Sequence, residues 1–121
     1  MTQKKLRLGA FMRPVSIHTA AWRYPGGTPD ANFNLKALVK YAQTLERGKF
    51  DFVFFADLLA APAQYGADIT EPLRRGTQAT ATLDPSIVAA SIGAVTSKLG
   101  VAITKSATYF HPYELARIFA S

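Results

Sequence analysis

Cysteine is absent from this 121-residue chain, and histidine occurs only twice. Without cysteine there is no disulfide framework and no thiolate zinc site, and a reducing, cytoplasmic compartment is the simplest expectation. Two histidines in separate loops, at neither i, i+4 nor finger spacing, leave no metal signature. No window approaches the roughly 20 apolar residues of a membrane helix. The basic N-terminus Met1-Thr2-Gln3-Lys4-Lys5-Leu6-Arg7 leads into an apolar run that Arg13-Pro14 interrupts, which is too short for a secretory leader. No G-x-G-x-x-G follows the first strand pattern, no P-loop motif is present, and no serine stands in a nucleophile elbow.

What the chain does have is apolar residues, 49% of the total with 12% aromatic, enough to build a core. Its net charge of +6 comes from 14 basic against 8 acidic residues. The basic residues are dispersed over strand starts, a helix and a loop, and no recognised motif accompanies them, so nucleic-acid binding is not expected.

Leu6 to Met12 reads as a buried strand, with Leu6, Leu8, Ala10 and Met12 on one face. A long loop, residues 13 to 32, carries His18, Trp22 and Tyr24; loops of this length in compact domains are usually functional or disordered, and the aromatics argue against simple disorder. Leu35, Leu38, Val39, Ala42 and Leu45 then fall on one helical face between Asn34 and Arg47, with Gly48 placed to end the helix. Phe50 to Ala56 is an almost continuous apolar run, as in a strand buried on both faces, and Asp57 closes it.

Residues 61 to 82 read as irregular. Asp84 caps a second helix with Pro85 in its first turn and Ile87, Val88, Ser91, Ile92 and Val95 on its apolar face, and Leu99-Gly100 ends it. Val101 to Thr104 is a third strand. Beyond a loop bearing Ser106, Thr108 and Tyr109, His111-Pro112 opens a third helix. That helix is still running at Ser121, so the pattern predicts the beginning of a larger domain, here one partial domain over residues 1–121.

The order strand, helix, strand, helix, strand, helix predicts an α/β fold of parallel strands joined by right-handed crossovers, the opening of either a doubly wound sheet or a (β/α)8 barrel. Both architectures place function at the carboxyl ends of the strands. Asp57 occupies such an end, a position that suits a functional carboxylate and equally a helix cap or a salt bridge with a loop arginine. Thr104, Ser106 and Thr108 can donate to a ring carbonyl or accept from a ring N–H, although threonine is an ordinary strand residue. His18 and Trp22 could line a pocket for a planar or polar substrate; a histidine satisfying loop backbone is at least as common. His111 fits a helix start better than a catalytic pair. The residues alone assign no catalytic group.

Four strings in order carry a resemblance: His18-Thr19-Ala20-Ala21-Trp22-Arg23-Tyr24-Pro25, Thr44-Leu45-Glu46-Arg47-Gly48-Lys49-Phe50-Asp51, Phe55-Ala56-Asp57, and Ser106-Ala107-Thr108-Tyr109 with Pro112-Tyr113 and Ala116-Arg117. Together they resemble the nitrilotriacetate and dibenzothiophene-sulfone monooxygenase group of the bacterial-luciferase-like flavin monooxygenases. The resemblance implies the first three βα units of a truncated (β/α)8 TIM barrel. It implies reduced FMN as cofactor, supplied by a separate NAD(P)H:flavin reductase, with O2 and a small organic substrate as co-reactants. Flavin-site roles follow for Asp57 and Thr104 with Ser106 beside them, and substrate-side roles for His18 and Trp22. Leu58 departs from the family, where a polar residue is frequent. A complete barrel takes about 250 residues, so three units alone are expected to be inactive. The alternative is a non-catalytic fragment that self-associates through an exposed third strand.

Overall fold

The computed structural model of the chain describes residues 4–15, 17–18, 21–60, 66, 68–75 and 82–121. Three short strands, β1 (Gly9–Met12), β2 (Phe52–Phe55) and β3 (Gly100–Ile103), form one parallel sheet in the order β1-β2-β3. Its helices are α1 (Leu35–Arg47), α2 (Thr70–Arg75), α3 (Pro85–Gly93) and α4 (Pro112–Ala120), with a 3₁₀ turn at Ala21–Arg23. Among the described residues, no helix is long and apolar enough to cross a membrane.

Each long helix begins where its sequence supplies a cap. Asn34 Oδ1 accepts from the Ala37 N–H at 3.1 Å to start α1. Asp84 accepts from the Ser86 N–H at 2.8 Å to start α3, with Pro85 just inside. Glu114 reaches back to the His111 N–H at 3.1 Å at the start of α4.

The end of α1 differs from expectation. Gly48 keeps an ordinary φ of −74°, and it is Lys49 that takes the left-handed conformation, at φ 62°. Lys49 N–H donates to the Glu46 carbonyl and Phe50 N–H to the Leu45 carbonyl, the paired closure that ends many helices. A lysine at this position carries the roughly 1–2 kcal/mol steric cost of left-handed backbone.

Register explains which side is core. Ala10, Val53 and Val101 are aligned across the sheet, as are Met12, Phe55 and Ile103. These side chains share one face. Onto it pack Leu38, Ala42 and Leu45 of α1 and Val88 and Ile92 of α3, with Leu99; Val53, Ala42 and Ile92 are 0% exposed. Both crossover helices therefore cover the same face. Successive right-handed crossovers in one direction produce that arrangement, which builds barrels, whereas a doubly wound sheet reverses direction and covers both faces.

The other face carries Gly9, Phe11, Phe52, Phe54, Gly100 and Ala102, aligned as Gly9-Phe52-Gly100 and Phe11-Phe54-Ala102. The Phe11 and Phe54 rings stack at 5.3 Å, tilted by 43°. Phe52 lies so closely over Gly9 that a Cβ there would collide with its ring. Phe11 is 49% and Phe52 39% exposed, so the second strand, expected to be buried on both faces, is buried on one.

Other expectations are corrected in detail. The first strand starts at Gly9, three residues later than its apolar pattern suggests, and Leu6 is 90% exposed. The third strand occupies Gly100–Ile103 rather than Val101–Thr104. Helix α3 stops at Gly93, leaving Val95 in a turn, and Ile87 projects outward. Within the stretch read as irregular, Asp68 Oδ1 accepts from both the N–H and the hydroxyl of Thr70 and nucleates α2.

Candidate functional site

The carboxyl ends of β2 and β3 are joined by the residues the sequence singled out. Beyond the last strand residue, Thr104 N–H donates to the Phe55 carbonyl at 3.1 Å, carrying the ladder one step further. That step turns the Thr104 side chain toward the chain leaving β2, where its Oγ1 accepts the Asp57 N–H at 2.7 Å. A hydroxyl that accepts in this way still has its own proton to donate.

The Asp57 carboxylate, 10% exposed, faces a residue the sequence did not single out. Lys105, with a side chain only 1% exposed, brings Nζ to 3.3 Å from Asp57 Oδ2 and 2.6 Å from Asp84 Oδ2. The ammonium also lies 5.4 Å from the centre of the Phe110 ring. Burial alone would push the Asp84 carboxyl up, but hydrogen bonds from Lys105 and then Ser86 hold it below the usual aspartate value. Of the two structural alternatives for Asp57, the salt bridge is thus realised, with a buried lysine in place of a loop arginine.

Ser106 sits two residues beyond Thr104 at the same end of the sheet. Its Oγ accepts the Thr108 N–H at 3.3 Å and its carbonyl accepts from Phe110 at 3.3 Å, so it shapes the turn leading to α4. His18 is exposed in the loop after β1, and its carbonyl accepts the Ala21 N–H at 3.0 Å to open the 3₁₀ turn. Trp22 lies in that turn, and its side chain is outside the described part of the structure.

Arg13, immediately after β1, is a second residue missed in the sequence. Its guanidinium stands over Phe11 at 5.0 Å, while its Nε is buried without a hydrogen-bond partner. A buried, unsatisfied donor of this kind costs about 1–3 kcal/mol. Arg13 borders a largely apolar recess shared with Met12, Asn32, Phe55, Leu58 and Leu83. The Leu83 N–H, donating to the Asn32 carbonyl at 3.2 Å, closes one side of it. Leu58, which departs from the family pattern, thus supplies apolar wall.

The Phe11–Phe54 pair gives an exposed aromatic surface and the Thr104 hydroxyl keeps a proton to donate, groups of the kind a flat heteroaromatic cofactor uses. Among the described residues, no group of three potential metal-ligating side chains converges.

No family model matches the chain. It is 38% identical to a dibenzothiophene-sulfone monooxygenase of Rhodococcus erythropolis (strain XP), over 98% of this chain and 26% of that protein. To nitrilotriacetate monooxygenase component A of Aminobacter aminovorans it is 32% identical, again over 98% of this chain and 26% of the relative. Among solved structures, a riboflavin lyase crystallised with a modified FMN and riboflavin superposes with a TM-score of 0.83 at 34% identity, over 97% of this chain and 26% of that one. The chain therefore spans about a quarter of the length of the relatives it matches.

Proposed function

Because this chain is homologous along its length to the nitrilotriacetate and dibenzothiophene-sulfone monooxygenase group of the luciferase-like monooxygenases, we propose that it is the N-terminal portion of an FMN-dependent two-component monooxygenase. Reduced FMN, delivered by a separate NAD(P)H:flavin reductase in the cytoplasm, supplies the electrons with which O2 is activated and a small organic substrate oxygenated.

The observation that carries this reading is the Asp57–Thr104 bridge at the carboxyl ends of β2 and β3, in a fold that superposes on a protein crystallised with a modified FMN. Asp57 and Thr104, with Ser106 at the same end of the sheet, hold the flavin, and the loop that carries His18 and Trp22 belongs to the substrate side. Singly wound strands closing into a (β/α)8 barrel would bury the aromatic face and exclude water from the flavin. Three strands leave that face open, so the 121-residue chain alone gives little or no oxygenation.

Titration of FMN into the purified chain, followed by fluorescence quenching with circular dichroism as the check on folding, tests the assignment. Quenching that disappears in Asp57→Ala is the expected result. A folded chain that never quenches FMN removes the flavin role from these residues, and turnover with a flavin reductase overturns the expected inactivity.

A second reading, a non-catalytic fragment that self-associates, is favoured by the exposed aromatic face and by β3, which among the described residues is an edge strand. Sedimentation of the same sample decides it, since a monodisperse monomer contradicts association.

A further inference from the structure

Lys105 is the least expected feature of the carboxyl end. An ammonium with 1% side-chain exposure is costly to bury unless it is paired and hydrogen-bonded. Here two carboxylates converge on it, at 2.6 Å from Asp84 and 3.3 Å from Asp57. Asp84 is itself immobilised, because its Oδ1 accepts both the N–H and the hydroxyl of Ser86 as the cap of α3. Its Oδ2 is thereby aimed at Lys105. Rigidity passes from the α3 terminus through Asp84 to the lysine, and from the lysine to Asp57.

Asp57 is held in two places by consecutive residues. Thr104 accepts its backbone N–H, and Lys105 binds its carboxylate. We infer that Lys105 is a positioning residue, fixing the orientation of the Asp57 carboxylate at the mouth of the sheet. A role in stability alone explains the arrangement poorly, since replacing a buried ion pair by well-packed apolar residues is often neutral or stabilising. The functional consequence rests on the reading of Asp57 as a flavin-site carboxylate.

The test compares the full chain with a Lys105→Met/Asp84→Asn double variant. The single Lys105→Met change would strand two carboxylates and could unfold the chain. The double variant removes one cation with one anion, leaving the charge of the cluster unchanged. Circular dichroism establishes folding, three-bond NMR couplings report the Asp57 χ1 rotamer, and fluorescence quenching reports FMN affinity.

The expected result is a single Asp57 rotamer in the parent and averaging in the double variant, with FMN affinity lower by about ten-fold, as when outer partners of a binding group are lost. An Asp57 rotamer that stays single in the double variant overturns the inference. So does averaging accompanied by unchanged FMN affinity. If the parent itself fails to bind FMN, the proposed function fails, while the couplings still decide whether Lys105 orients Asp57.

Discussion

Two aspartates six residues apart show how differently the two ends of one sheet are built. At the amino end, Asp51 accepts from Arg7 Nη1 at 2.7 Å and from the Leu8 N–H at 2.8 Å, stapling the start of β1 to the start of β2. Nearby, Glu46 takes the N–H groups of Ser97 and Lys98, both at 2.6 Å, and ties α1 to the turn before β3. These carboxylates engage mainly backbone, close to solvent. At the carboxyl end, Asp57 engages the buried side chain of Lys105, and Arg13, just after β1, carries a buried Nε with no partner. An end satisfied by its own backbone holds the sheet in register. An end with buried charge and an unsatisfied donor carries a cost of the kind that functional sites tolerate.

The largest expected effect breaks the carboxyl end. Lys105→Met leaves Asp57 and Asp84 facing each other without their cation, and removing one partner of a buried ion pair costs about 3–5 kcal/mol. Partial exposure of Asp84, at 43%, places the expected loss toward the lower figure. Adding Asp84→Asn should recover part of it. Denaturant midpoints at constant m-value provide the measurement, and a single variant as stable as the parent would mean that the cluster relaxes into solvent at little cost.

At the amino end, the most sensitive position is steric. Gly9 lies beneath the Phe52 ring, and a Cβ there collides with it. Gly9→Val should therefore lose roughly 1–3 kcal/mol, the usual range for overpacking. Because Phe52 is 39% exposed and able to swing outward, a neutral outcome would show that the aromatic layer of this face is loose. The same denaturant series distinguishes the two.

How much of this was legible in the sequence follows the range of the interactions. The spacing of Leu38, Ala42 and Leu45 and the Asp84-Pro85 start were readable because each lies within a few residues of the element it builds. Asp57 and Thr104 were readable as strand-end residues, and the structure brings them together. Lys105 was not visible in the sequence, because its partners lie 48 and 21 residues away. Arg13 served in the sequence only to end a strand. The exposure of Phe11 and Phe52 was hidden for a related reason: an apolar run shows that a strand can be buried, and the neighbouring elements decide which of its faces is covered. Helix α2 carried no visible apolar face, since Leu73 is 51% exposed and its start depends on the Asp68 cap.

The smallest effect sharpens the contrast through pH. Hydrogen bonds from the backbone of Lys98 and then Ser97 hold the Glu46 carboxyl below its ordinary 4.5. Arg7 and then the Leu8 N–H hold Asp51 below 3.8. A carboxyl depressed in the folded state contributes stability above its unfolded value and loses that contribution as pH falls through the folded one. The amino-end staples should therefore weaken only in acid, below about pH 4.5 for Glu46 and at lower pH for Asp51. In Glu46→Gln the melting temperature should be lower at neutral pH, and its fall with acidification should be shallower than in the parent, because one proton-linked contact has been removed. Thermal melts from about pH 7 to pH 3 give both quantities at once. Parallel curves would show that the Ser97 and Lys98 amides are served equally well by a neutral amide oxygen. In that case the amino-end tie is one of geometry, and charge matters chiefly around Lys105.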